Sequence, residues 1–329
     1  MNDLEMRLKS LLPQISSVGG EFELEPVAGG QSNPTFFITA GDSRLVLRMQ
    51  PRNALPSAHA VDREYRILSA LAQSELPVPE VLYFGADADV LGAPFYLMRR
   101  VEGRVFSDPT LPGVSASERK EIYFAMADTL ATLHAVDWKV LGLADFGRVG
   151  GFFERQIARW MRQWDLSGEP HTPEIKAISQ WLTANIPSDD RTSITHGDFR
   201  IGNLMFHPVE PRVVAVLDWE LSTLGHPAAD IAYSSLGWHL TRDEWMGFRD
   251  IDYAALGIPD AHEYLARYRE RVPDSSEIIP FHMCFSLFRL AVIFQGIAAR
   301  AKRGNAAAAN AAEIGAKSQM LVDRAMAFI

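Results

Sequence analysis

Between Glu21 and Met98 the chain runs in short apolar bursts, EFELEPVA, TFFITA, RLVLRM, VLYFG and PFYLM, set off by Gly, Pro, Asn and Asp. Bursts of that length and spacing predict β-strands. One stretch breaks the pattern: SAHAVDREYRILSALAQ places Val61, Tyr65, Leu68 and Leu71 at helical intervals, between the third and fourth strands. Beyond Glu102 the periodicity becomes helical, over Ser117–Val136, Phe152–Trp164 and Pro173–Asn185 and several times after Ala228. Arg191–Trp219 is the exception, with two or three short strands around the segment SITHGDFRIGNLMF. The pattern predicts an α+β chain with a small β-rich lobe over residues 1–102 and a larger, mainly helical lobe over 103–329, joined near Arg99–Gly103. The late segment AKRGNAAAANAAEIGAK is alanine-rich and helix-compatible, and no repeat of fixed period occurs.

Composition narrows the function. The 329 residues are 47% hydrophobic, enough to bury a sizeable core, and the formal net charge is −9. That charge argues against a nucleic-acid partner, which selects for a basic surface. An anionic ligand would need local cations or a metal. Cys284 is the sole cysteine, so neither an intramolecular disulfide nor a multi-cysteine zinc site can form; within FHMCFSLF it is expected to be a core residue. MNDLEMRLKSLLP lacks the apolar centre of a secretion signal, and no run of about 18 consecutive apolar residues occurs. A cytoplasmic protein without a membrane partner is therefore expected.

The chemistry concentrates in SITHGDFRIGNLMF. Asp198 and Asn203 lie five positions apart between two apolar runs, and Asp218 follows fifteen positions later at the end of VVAVL. Strand ends anchor the backbone while a side chain projects. Hard oxygen donors from Asn203 and Asp218 suit Mg²⁺, which takes a few protein oxygens together with phosphate and water. Asp198 is then left to orient a hydroxyl nucleophile or accept its proton. Singly each residue is an ordinary turn former; their joint placement between strands favours a site.

In the first lobe AGGQSNPTFFI joins two β-like runs through Gly29, Gly30, Gln31, Ser32 and Asn33, whose amides and small polar side chains are suited to close over phosphates. A plain hairpin is the competing reading. RLVLRM sets Arg48 near the end of an apolar strand, where a cation needs a partner, and Glu64 in VDREYRIL is placed to supply one. A strand cation held by a helix carboxylate is the ion-pair device of kinases. GxSxG, HExxH, GxxxxGK[ST] and GxGxxG are absent, so hydrolase, P-loop and dinucleotide readings lack their cradles.

Together these residues resemble the aminoglycoside phosphotransferase (APH) family, whose fold is bilobal and protein-kinase-like, from about Gly20 to the C-terminal helices. HGDFRIGN matches the family's HGDxxxxN, Asp218 in VLDWE its metal-binding aspartate, Asp230 in HPAADIAY its later helix aspartate, GGQSN its phosphate loop and Glu64 its helix glutamate. More narrowly, GGQSNPTFFI, LVLRMQP, SAHAVDREYRIL, LPVPEVL, GAPFYLMRRVEGRVF and LDWELSTLGHPAADIAY are similar to the kinase-like domain that precedes an acyl-CoA dehydrogenase domain in some animal proteins, and to its free-standing bacterial relatives. The wider family has lysine where this chain has Arg48; the narrower group shares the arginine, which is planar and bidentate toward phosphate.

The resemblance implies ATP as co-substrate, with GTP as the alternative donor, and Mg²⁺. Asp198 would act on the acceptor hydroxyl, Asn203 and Asp218 would hold the metal, and Arg48, steadied by Glu64, would contact nucleotide phosphates covered by Gly30, Gln31, Ser32 and Asn33. Arg99 to Val101 would form a hinge whose backbone meets adenine, and Asp230 would cap or brace the catalytic loop. His196 is expected to bond to backbone, His134 to pack or cap, and His226-Pro227 to turn into a helix. Trp160 and Trp164 are expected in a core stripe, with Arg155, Arg159 and Arg162 on other faces of the helix.

For the acceptor the expectation is a small-molecule hydroxyl. An aminoglycoside is a polycation that needs carboxylates; Thr241–Glu277 carries nine acids against five bases, but Pro280–Ile329 carries six bases against two acids. The narrower resemblance implies instead a hydroxyacyl-CoA and a functional link to an acyl-CoA dehydrogenase, with Arg289, Arg300, Lys302 and Arg303 as candidates for the anionic CoA portion. An aminoglycoside or other small-alcohol kinase is the first alternative. A nucleotide-binding pseudokinase acting as a partner module is the second, resting on Arg48 alone.

Overall fold

Alternation along the early strands sorts their side chains between two faces. In the computed structural model, which describes residues 3–15, 21–27, 33–51, 61–302 and 311–329, strands β1 (Glu23–Pro26), β2 (Thr35–Ala40), β3 (Ser43–Met49), β4 (Val81–Gly85) and β5 (Phe95–Arg99) form an antiparallel sheet of order β1-β2-β3-β5-β4. Leu45, Leu47 and Met49 of β3 enter one buried cluster with Phe95 and Leu97 of β5 and with Leu8, Leu11 and Leu12 of α1 (Asp3–Ile15). The other face of β3 carries Arg48, directly across from Tyr96 on β5. Helix α2 (Val61–Leu71) packs on β4 and β5 and buries Val61, Glu64, Ile67, Leu68 and Leu71, so a carboxylate sits on its apolar face. A single turn of helix, α3 (Ala88–Leu91), precedes β5.

These elements belong to the first of two compact units, Met1–Gly103 together with Val214–Glu220. The returning segment includes most of β9 (Val213–Val216) and is tied in by the Val216 N–H, which donates to the Pro77 carbonyl at 2.9 Å. The second unit is Arg104–Val213 and Leu221–Ile329. Its short strands are β6 (Arg104–Val105), β7 (Ser193–Thr195), β8 (Leu204–Phe206) and β10 (Thr223–Gly225), with β6 antiparallel to β8 and β7 to β10. Its helices are α4 (Ala116–Ala135), α5 (Phe152–Ser167), α6 (Pro173–Ala184), α7 (Pro227–Ser234), α8 (Arg242–Trp245), α9 (Ala261–Arg271), α10 (Pro280–Lys302), α11 (Ala311–Ala316) and α12 (Ser318–Met326).

The core of the second unit gathers on α10, against which α5, α6, α7, α11 and α12 pack. This helix is long and apolar enough to cross a membrane by length and composition, yet 72% of its most apolar stretch is buried inside the protein. Cys284 on α10 is fully buried, which pushes its thiol up to about 12, and Trp160 and Trp164 line the same core, both as expected. The alanine-rich segment is helical from Ala311, while residues 303–310 lie outside the described set.

His226 and His282 lie nearly parallel beside Phe153, both all but inaccessible to solvent. Burial lowers the pKa of each, that of His282 to about 4, with the neighbouring His226 adding to the effect and Asp189 opposing it. Both pKa values fall on folding, so the unfolded chain binds more protons below pH 6.5; this part of the stability is present above pH 6.5 and is lost as pH falls toward 4. The expected loss for His282 is about 3 kcal/mol. Urea midpoints measured from pH 7 to 4 should show it, and His282→Asn should flatten the slope.

Candidate active site

In the first unit the expected cation and carboxylate meet. The Arg48 guanidinium Nε is 2.8 Å from Glu64 Oε2, and its Nη2 is 3.1 Å from Asp218 Oδ1. Glu64 is held further by Tyr96, whose hydroxyl donates to Oε2 at 2.9 Å, and by Asn33, whose Nδ2 donates to Oε1 at 2.7 Å. Burial pushes the Glu64 carboxyl up to about 7, against the pull of Arg48 and Tyr96. Burial alone would lower the Arg48 pKa, but the carboxylates, Glu64 foremost, hold it above its ordinary value, so the cation is permanent. Asp218 itself has φ +65°, in the left-handed region that aspartate tolerates better than most residues. That conformation turns the chain out of β9 into a 3₁₀ turn beginning at Trp219.

In the second unit the loop between β7 and β8 is gripped by its backbone. Asp230 on α7, 1% exposed, accepts from the His196 N–H at 2.6 Å and the Gly197 N–H at 2.9 Å. His134 Nε2 on α4 is 3.6 Å from the same carboxylate, and its Nδ1 meets the Tyr268 hydroxyl at 2.7 Å. Burial works to raise the Asp230 pKa, but His134 and the donated amide bonds lower it, so the group stays ionised. Arg289 on α10 donates to the Gly197 carbonyl and lies over the rings of Trp160 and Tyr233. Gly197 has φ +85°, and a Cβ there would come 2.7 Å from the Leu221 carbonyl oxygen, so only glycine fits. His196 Nδ1 accepts from the Asp198 N–H at 3.1 Å, the backbone role expected of it.

This frame presents Asp198. Its Oδ1 accepts from the Tyr233 hydroxyl at 2.6 Å; its Oδ2 accepts from Asn203 Nδ2 at 2.7 Å and Arg200 Nε at 3.2 Å. A carboxylate oxygen offers two acceptor positions, so Oδ2 is filled by these partners and Oδ1 keeps one position for a hydroxyl. Tyr233 is buried beside Asp198, both of which raise its pKa well above the ordinary value and keep its hydroxyl a proton donor.

The expected Mg²⁺ donors fit that ion by type. Asn203 commits Nδ2 to Asp198, leaving its carbonyl oxygen as the ligand, and Asp218 offers a half-buried carboxylate. Hard oxygens in small number, completed by phosphate, are what Mg²⁺ takes. Among the described residues no cluster of three or more His, Cys, Asp or Glu offers a competing metal site.

The structure thus joins Arg48 with Glu64 and Asp218, and Asp198 with Asn203. Asn33 is buried and engaged with Glu64, while Gly30, Gln31 and Ser32 lie outside the described residues. Arg99 pairs with Glu80 at 2.5 Å on an exposed strand end, and Val101 follows partly buried. Of the proposed CoA cations Arg289 needs correction, being 8% exposed and spent on the catalytic loop, whereas Arg300 and Lys302 are exposed, Lys302 in a surface pair with Glu169. Arg303 falls outside the described residues. Sequence reasoning missed Tyr233 and Arg200. Tyr233 stands three residues after Asp230 and so shares its helix face, the signal that would have found it.

A carboxylate poised for a hydroxyl and a permanent cation on a strand, paired to a helix glutamate, define a kinase-like phosphotransferase. The model of the phosphotransferase enzyme family (APH) matches residues 23–270. A crystal structure from Ralstonia eutropha JMP134, provisionally described as an aminoglycoside phosphotransferase, is 40% identical with a TM-score of 0.90, covering 98% of this chain and 97% of that one. Acyl-CoA dehydrogenase family member 10 of Mus musculus is 42% identical over 99% of this chain, which spans only 31% of that relative's length. The ternary complex of aminoglycoside phosphotransferase APH(4)-Ia with AMP-PNP and hygromycin B, 16% identical with a TM-score of 0.64 over 98% of this chain and 99% of that one, shares the fold. The chain belongs to the phosphotransferase enzyme family, and its class of reaction is ATP-dependent phosphoryl transfer to a hydroxyl group.

Proposed function

We propose that this protein transfers the γ-phosphoryl group of ATP to the hydroxyl of a hydroxyacyl-CoA in the cytoplasm. The observation that carries the transfer is the Asp198 carboxylate, fixed through both oxygens with one acceptor position left on Oδ1. Asp198 receives the acceptor hydroxyl there, turns its oxygen toward phosphorus and takes its proton as the new bond forms. Arg48 supplies positive charge for the nucleotide phosphates, with Glu64 and Tyr96 fixing its direction. Asn203 and Asp218 each offer an oxygen of the kind that Mg²⁺ takes, and the ion would offset the charge on those phosphates. Tyr233 and Arg200 keep Asp198 from rotating away.

Support for the thioester comes from the relatives named as acyl-CoA dehydrogenases, of which this chain matches about a third. Phosphorylation converts a poor leaving group on an acyl chain into a good one, a step that would serve such an enzyme and makes a functional link to it reasonable. An aminoglycoside, by contrast, is a polycation that needs carboxylates, and Asp198 is already paired with Arg200. The test is a panel of hydroxyacyl-CoAs, free hydroxy acids and aminoglycosides, each with ATP and Mg²⁺, read by ADP release and product mass. Transfer to the thioesters is expected; transfer to an aminoglycoside alone would refute the proposal.

A further inference from the structure

Beside Asp198 lies a small cavity of about 40 Å³ lined by Tyr123, Arg200, Tyr233, Trp238, Trp245 and Met246 among others, all from the second unit. Two of these side chains are the ones that hold Asp198: Tyr233 on Oδ1 and Arg200 on Oδ2. Around them the wall is aromatic and aliphatic, and among the described residues no carboxylate lines it. A water's share of liquid volume is about 30 Å³, so the space suits one or two carbons.

The wall is also built under strain. Met246 has φ +44°, a left-handed conformation that costs a non-glycine residue about 1 kcal/mol or more and persists only where the surroundings impose it. The surroundings do so. Thr241 and Glu244 close a reciprocal capping box at the start of α8, the Gly247 N–H returns to the Thr241 carbonyl at 3.3 Å, and Arg324 grips Glu244. The result sets Met246 Sδ 3.9 Å from Arg200 Nη1, over the cavity.

We propose that this cavity receives the short alkyl substituent on the carbon bearing the acceptor hydroxyl, so that the preferred acceptor is a secondary alcohol with a methyl or ethyl group on that carbon. A hydroxyl bonded to the remaining position of Oδ1 lies next to Tyr233, which is itself a lining residue of the cavity, and on this proposal its carbon faces that space. In the step the bond between the γ-phosphorus and the β,γ-bridging oxygen breaks, a phosphorus bond to the carbinol oxygen forms, the hydroxyl proton passes to Asp198, and ADP leaves. The site rests on the acceptor being a hydroxyacyl thioester, as proposed above.

The experiment measures kcat/KM with ATP and hydroxyacyl-CoAs whose carbinol carbon carries hydrogen, methyl, ethyl or butyl. Methyl and ethyl should be favoured over butyl by about 10-fold or more, the size of discrimination an apolar pocket gives. Met246→Gly, which relieves the left-handed strain while enlarging the space, and Trp245→Ala should each raise butyl relative to methyl about 10-fold; thermal melts identify the variants that fold. Wild-type turnover of butyl within twofold of methyl would overturn the proposal, as would a folded variant that keeps the wild-type ratio. Failure of every thioester would remove the acyl-CoA reading and this one with it; turnover with a flat profile would remove the cavity's role alone.

Discussion

Asp198→Asn should lower kcat for phosphoryl transfer by about 10² to 10⁴, the range a positioned acid or base contributes, while ATP binding changes little. The substitution preserves size and hydrogen bonding capacity on one side, so the Tyr233 hydroxyl can still donate to the amide oxygen. It removes the charge that draws the acceptor proton, and it sets an amide nitrogen against either Tyr233 or the Arg200 and Asn203 donors. Binding is expected to survive because Arg48, Glu64 and Asp218 hold one another within the first unit. Steady-state turnover on an accepted hydroxyl, together with calorimetric ATP binding, checks both halves. Turnover within threefold of wild type would remove Asp198 from the chemistry.

Asp230→Ala should produce the largest loss of stability of any single change at the site. The carboxylate is buried and takes the His196 and Gly197 N–H groups, and alanine would leave both donors enclosed without partners. Each orphaned donor costs about 1–3 kcal/mol, and His134 loses the carboxylate it faces, so a total of about 3 kcal/mol or more is expected. The loop would also loosen, and transfer should fall with stability. Denaturant melts and turnover measured on the same preparation test this; an unfolding midpoint equal to wild type would show that the loop does not depend on Asp230.

The strands were legible because each is a short apolar burst set off by turn residues: β2 and β4 occupy the stretches TFFITA and VLYFG that the pattern marks. Helix α1 was not, since Pro13 interrupts it and its short apolar spacing reads as an ordinary N-terminal stretch. The Arg48–Glu64 pair followed from the cost of a charge on an apolar element, a local argument that needs no tertiary knowledge. Asn33 illustrates the limit. Its sequence neighbours suggest a phosphate loop, but its side chain is taken by Glu64, 31 positions away, a contact that no local pattern encodes. Arg289 looked like a surface cation for CoA because charge on a long helix is usually solvated, yet α10 is the core helix and its arginine points at the catalytic loop.

The loop that carries Asp198 is fastened almost wholly through main-chain atoms: Asp230 takes two of its N–H groups and Arg289 its Gly197 carbonyl. Main-chain anchors are indifferent to most side chains, so the loop's path is insulated from change at neighbouring positions such as Arg200. Retuning the enzyme for a new alcohol therefore becomes a problem of side-chain substitution at positions 245 and 246, with no redesign of the frame. The same arrangement would let natural sequences drift among acceptors while the phosphoryl chemistry stays in place.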